Sequence, residues 1–160
     1  MAIYLKYDGI KGDVTAEGYQ GYINIRTCDF KVKRKIPMTP GTLSNREISR
    51  PHISEMLLLK DIDSSVTELF KQALCNATGK QAIIKFVHTG TDKIREYMEY
   101  TLEDCLVSRY AITASIYTEP SEVILLSFSK ILIHHKHHTA TNKPGSSLRV
   151  GYDLEQAKSL

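Results

Sequence analysis

Tryptophan is absent from this chain, cysteine occurs three times and proline five. No apolar run approaches the ~20 residues a helix needs to cross a bilayer. Each shortage excludes something. Cys28, Cys75 and Cys105 are odd in number and far apart, so they supply neither a disulfide framework nor zinc-ligand spacing. They read as buried thiols of a protein made in a reducing compartment, with no feature that lowers a thiol pKa. Charge of one sign is also scarce. Lys and Arg total 21 against 18 Asp and Glu, a net +3 that argues for neither nucleic acid nor membrane insertion. The first residues lack a basic segment followed by an apolar one, so no cleaved signal peptide is expected.

Catalytic signatures are missing too. No G-x-S-x-G elbow is present. Gly9-Ile10-Lys11-Gly12 lacks the spacing of a phosphate loop and does not open a helix. Glu96, Glu99, Glu103 and Asp104 are scattered in a way that argues for no acid/base pair. Solvated faces explain them better. The basic run 31–35 puts its charges largely on one strand face, a minor anion-facing patch at best.

His134, His135, His137 and His138 form the one cluster that suggests a metal. On a strand, His135 and His137 share one face, and His134 and His138 the other. Two imidazoles per face do not complete a tetrahedral site. The expectation is a solvated, weakly pH-sensitive strand end, with metal binding only adventitious. No catalytic residue, cofactor or metal is assigned.

What remains is an ordinary apolar fraction (42%) and charged fraction (24%), with nine tyrosines as amphipathic bulk. A chain of 160 residues buries roughly 70% of its unfolded surface, enough for one core without staples. One domain over 1–160 is expected. Strands are expected at 3–7, 23–36, 53–59, 82–88, 94–102, 105–116, 123–135 and 148–154. Turns fall at 89–92 and 118–121, and a polar loop at 139–147.

A helix is expected over 64–78. Val66, Leu69, Phe70, Ala73, Leu74 and Ala77 lie at helical spacing, Leu69 and Phe70 as core. Ser65 with Glu68 fits a capping box, and Gly79 suits a left-handed stop.

Two strands change phase. Ile23 and Ile25 are apolar at odd positions, whereas Cys28, Phe30, Val32 and Ile36 are apolar at even ones. A strand cannot switch faces without an extra residue, so a bulge or bend is expected near Arg26-Thr27. Asp29, Lys31, Lys33 and Lys35 then share the polar face. Ile124, Leu126 and Phe128 give way to Ile131 and Ile133 in the same manner, with the slip at Ser129-Lys130. Bent strands let two sheets close toward a barrel. The fold class is therefore mainly β: a two-sheet β-barrel with one flanking α-helix and a long protruding loop at 37–50. Such a loop is more often an interaction device or lid than idle connection.

Segments spread along the chain carry a resemblance. They include Ile3-Tyr4-Leu5-Lys6, Gly21-Tyr22-Ile23 before Cys28-Asp29-Phe30, and Arg46-Glu47-Ile48-Ser49. Lys60-Asp61-Ile62-Asp63, Tyr100-Thr101-Leu102-Glu103, Phe128-Ser129-Lys130-Ile131 and Gly151-Tyr152-Asp153-Leu154 continue it. In order and spacing the chain resembles Hcp, the haemolysin-coregulated protein family that forms the inner tube of type VI secretion systems. Its length resembles an Hcp without an appended toxin domain. The chain departs from the family's pattern at Asp29, where a small hydroxyl residue is common nearby, and in the histidine cluster.

The resemblance implies a structural protein, not an enzyme. It implies hexameric rings stacked into a tube within a contractile sheath and beneath a spike protein. By the resemblance, such rings can also carry small effectors in the lumen. By the same resemblance the protein is expected in the cytoplasm before firing and then secreted to the medium or a target cell without a cleaved signal. The 37–50 loop lies where the family contacts the neighbouring ring, so Asn45, Arg46 and Glu47 become ring-stacking candidates. Asp29, with Lys31 beside it, becomes the lumen-facing candidate. The rival reading is a monomeric β-barrel that binds a small ligand inside. Against it, no strand shows an aromatic-rich interior face with convergent polar anchors.

Overall fold

The structure, a computed structural model, describes residues 1–38, 40, 49–75, 77–90, 94–138 and 144–160. The strands are β1 (Ala2–Tyr7), β2 (Ile23–Ile25), β3 (Thr27–Asp29), β4 (Val32–Lys33), β5 (His52–Ile53), β6 (Met56–Asp61), β7 (Lys80–Thr89), β8 (Ile94–Ser115), β9 (Thr118–Ser127), β10 (Lys130–His138), β11 (Pro144–Asp153) and β12 (Lys158–Ser159). Helix α1 (Val66–Cys75) lies between β6 and β7. Among the described residues no helix is long and apolar enough to cross a membrane.

The strands form a two-sheet barrel. β2 pairs β1, β1 pairs β7, and β7 pairs β8. β8 passes from one sheet to the other, its first half also pairing β10 and its second half pairing β9. β9 pairs β6, and β6 pairs β3. β3 returns to β2 through Arg26, whose N–H donates to the Leu59 carbonyl at 2.8 Å. The ladder therefore comes back to its start, which leaves few open edges.

The expected bend at Arg26-Thr27 is where the chain changes sheets. The second slip is a break at 128–129, where the Ser129 N–H donates to the Glu103 carbonyl at 3.1 Å.

Alternation fills the interior. Leu5, Ile23, Met56, Leu58, Ile84, Leu102, Ile124 and Leu126 are fully buried, every second residue of their strands. Tyr7 is buried with its hydroxyl donating to the Cys105 carbonyl at 2.9 Å. Burial pushes the thiols of Cys28 and Cys105 up to about 12, with nearby carboxylates adding to the shift. Cys75 alone of the three is exposed, near the end of α1. A thiol reagent is therefore expected to label one cysteine in the folded protein and three after denaturation. Fast labelling of two or more in the folded state would refute this packing.

Several expectations need correction. The strands expected at 94–102 and 105–116 are one strand, bent at Asp104 (φ 51°), a conformation that Asp tolerates better than most residues. The turn expected at 118–121 lies instead at Ile116-Tyr117, bracketed by the Ser115–Thr118 pair. Pro120 falls inside β9 beside a register shift, where a missing N–H breaks no regular ladder. β11 begins at Pro144, inside the expected loop, because its ladder with β10 extends that far.

The helix is shorter than 64–78, and it buries Leu69 while leaving Phe70 and Leu74 exposed. Phe70 lies edge-on to Tyr110, with ring centres 5.6 Å apart, on the outside of the core. The capping box does not form. The Ser65 hydroxyl donates to the Asp63 carboxylate, which also accepts the Ser65 N–H at 3.0 Å. Nor is Gly79 left-handed. It sits where Asp104 of β8 comes so close that no Cβ fits.

Candidate functional site

Three places carry polar or apolar groups in unusual density: the ribbon beyond β3, the outer face of the β7–β8–β10 sheet, and the exposed apolar surface.

The ribbon forms because the chain leaves the barrel after Phe30. Phe30 packs near Tyr100 and Phe128, with ring centres 6.1 and 6.3 Å away. β4 then pairs only β5, and the Lys35 N–H donates to the Ser49 hydroxyl at 2.9 Å. The expected even-numbered apolar face thus stops at Phe30, and Val32 and Ile36 are exposed. The loop springs from this ribbon. Asn45, Arg46 and Glu47 lie outside the described residues.

At the root of the ribbon, Asp29 and Lys31 are brought together. The Lys31 ammonium lies 3.1 Å from the Asp29 carboxylate, with both side chains about half exposed. Ser54, Glu55, Leu57 and Leu125 complete an open hollow of about 230 Å³. The Ser54 hydroxyl accepts the Lys31 N–H at 2.9 Å, which anchors the strand end. The hollow offers a neutralised ion pair beside half-buried leucines.

The outer sheet face holds an ion network that strand spacing alone did not reveal. The Lys85 ammonium lies 2.9 Å from both Glu96 and Glu99, and Lys136 lies 2.6 Å from Glu96. The register of β7 against β8 shifts between Phe86 and Val87, so the pairing could not be counted along the sequence. Burial alone raises the Glu96 carboxyl, but hydrogen bonds from Lys136 and Lys85 outweigh it and hold the pKa below its ordinary 4.5. Burial likewise pulls the Lys85 ammonium down, and hydrogen bonds to Glu96 and Glu99 more than reverse that.

A depressed carboxylate stabilises the fold above its unfolded pKa and loses that contribution as pH falls through the folded value. Glu96→Gln should cost about 1 kcal/mol at pH 7. The gap from the parent should close on acidification below pH 4.5. Denaturant midpoints against pH would check this, and a gap that persists at low pH would contradict it.

The histidines are separated as strand alternation requires. His134 reaches the Ser147 hydroxyl on β11, while His135 and His137 are exposed. The His138 side chain lies outside the described residues. Among the described residues no group of three or more His, Cys, Asp or Glu gathers as metal ligands.

The third place is apolar. Phe70 and Leu74 on α1, Ile112, Ile116 and Tyr117 on the β8–β9 hairpin, and Leu148 and Val150 on β11 are all exposed. An open groove of about 230 Å³ runs between the β4–β5 ribbon and the β10–β11 hairpin. With the interior filled by its own side chains, this apolar surplus faces outward. Sequence analysis missed it because periodicity places a residue on a face without saying whether that face is covered.

Comparisons with known proteins agree with this architecture. A family model described as "Type VI secretion system effector, Hcp" matches residues 4–135. A solved "type six secretion system protein" is 17% identical with a TM-score of 0.90, covering 99% of each chain. Hcp1 from Salmonella typhimurium is 21% identical with a TM-score of 0.74, covering 99% of this chain and 98% of that one. A type VI secretion system effector from Yersinia pestis is 18% identical with a TM-score of 0.75, covering 94% and 98%. Among curated protein sequences nothing matches. With the family match spanning most of its length, this chain belongs to the Hcp family of type VI secretion system proteins.

Proposed function

We propose that this chain is the subunit of a secretion tube, assembling as hexameric rings that stack end to end. The observation that carries the reading is a barrel with a filled core whose remaining large apolar side chains lie exposed at several separated places. Apolar side chains left outside a filled core point to an interaction site where they gather, as Ile116 and Tyr117 do at the tip of the β8–β9 hairpin. Family membership supports taking that interaction to be assembly with further copies of the chain. Head-to-tail contacts close a ring by rotational symmetry, and ring faces stack. The role is structural: a stiff conduit inside a contractile sheath, beneath a spike protein, with effectors in the lumen. No nucleic acid or membrane insertion is involved, and 1–160 acts as one tube-subunit domain.

Asp29 and Lys31 face the lumen in this proposal, where their paired charges and the neighbouring leucines touch cargo. Asn45, Arg46 and Glu47 reach the next ring. Arg46→Ala with Glu47→Ala then weakens stacking and leaves single rings intact. The rival reading of a small-ligand barrel finds no support in an interior occupied by Leu5, Ile23, Leu58 and Ile84.

Light scattering after size exclusion tests the reading. The expected species contains six chains of 18.1 kDa, with rings visible by electron microscopy. A strictly monomeric protein at high concentration, with no rings, would overturn it.

A further inference from the structure

The turn joining β8 to β9 has the wrong residues for a turn. Two-residue hairpin turns favour Asn-Gly, Asp-Gly or another pair with glycine, because these suit the positive φ the strand twist requires. This turn is Ile116-Tyr117, and neither residue has a positive φ. Both side chains are held in solvent, Ile116 at 91% and Tyr117 at 89% exposure. They contribute nothing to the core, and turn geometry does not ask for them. From Tyr110 to Thr118 the chain carries no charge, so the whole tip can leave water without stranding an ion.

The groove between the ribbon and the β10–β11 hairpin has the complementary character. Phe30, Val32, Ile53, Ile133, Val150 and Tyr152 line it, and among the described residues no charged one contributes to its walls. With Ile116 and Tyr117 this exposed, the tip does not fill its own copy's groove. β8 pairs with β10 near Leu102 and runs from there to the turn, a strand path on the order of 40 Å.

We propose that the Ile116-Tyr117 tip of one copy seats in the Phe30–Val150 groove of the next. The occupant is thus a second copy of this chain, and the contact is heterologous: tip to groove, repeated around the ring. The inference rests on the ring-forming reading and specifies its lateral seam. Neutral meets neutral, and an aromatic anchor enters an apolar pocket, as in the energetic centre of stable interfaces.

The test is the double variant Ile116→Asn/Tyr117→Gly, which removes both exposed apolar side chains from the tip and should leave each barrel folded. Assembly is expected to weaken by roughly 100-fold or more in light-scattering titrations. Val150→Lys on the opposite wall should do the same, with circular dichroism unchanged in both. In a Cys75→Ser background, mixing Ile116→Cys protein with Val150→Cys protein should give an interchain disulfide on oxidation. If the parent forms rings while the turn variant assembles with parent affinity and the cysteines fail to link, the seam is elsewhere and the tube reading survives. If the parent itself never assembles, the tube reading fails and the seam fails with it.

Discussion

Lys60→Ala is expected to lower the unfolding free energy by about 3–5 kcal/mol, the usual cost of leaving a buried charge without its partner. Lys60 and Glu122 are directly opposite on β6 and β9, and both are fully buried. The Lys60 ammonium contacts the Glu122 carboxylate and lies 2.8 Å from Asp63. Tyr110 donates its hydroxyl to Glu122, and Ser65 donates to Asp63. One cation thus serves two carboxylates at the point where the barrel wall turns into α1. Without it, two negative groups face each other, one of them wholly out of water.

Removing both sides of the pair should hurt less. A Lys60→Met/Glu122→Leu variant leaves no unpaired ion opposite β6, so it should be more stable than Lys60→Ala alone. Urea denaturation of Lys60→Met, Glu122→Leu and the double variant gives the coupling directly. A Lys60→Ala loss below about 1 kcal/mol would show that the buried pair does not hold this corner.

Gly79→Ala should cost about 3 kcal/mol, the upper range for forcing an atom into a packed site. An added Cβ would lie 1.8 Å from Asp104 Oδ1 and 2.6 Å from the Asp104 backbone. A carboxylate can rotate away, but the backbone at a bent strand cannot. The bend at Asp104 lets β8 serve both sheets, so the clash falls on the residue that turns the barrel wall. The denaturant midpoint of the purified variant checks this. A midpoint equal to the parent's would mean that β8 can shift there at little cost.

These two sites also show where sequence reading stopped. Lys60 follows Met56 and Leu58 at the inward positions of its strand, and Glu122 precedes Ile124 and Leu126 in the same way. The alternation was a usable signal, because two opposite charges on inward faces must pair or pay desolvation. Knowing that they pair with each other required the β6–β9 register. The expected strands stopped at 102 and resumed at 105 because Glu103 and Asp104 interrupted the apolar pattern, whereas one positive φ lets a continuous strand bend there. Phe70 and Leu74 matched the helical apolar stripe, yet of α1 only Leu69 is buried, and Phe70 and Leu74 stay exposed.

Strand alternation, the phase change at Arg26-Thr27, the amphipathic helix and the missing catalytic spacings were decided by the sequence alone. They are local: each follows from neighbours a few residues apart and the two periods of regular backbone. Closure of the ladder, the buried Lys60–Glu122 pair, the Gly79–Asp104 contact and the outward apolar tip and groove were decided by the tertiary structure. Those depend on which distant strands become neighbours and on which apolar faces remain after the core is full, and no local pattern encodes either.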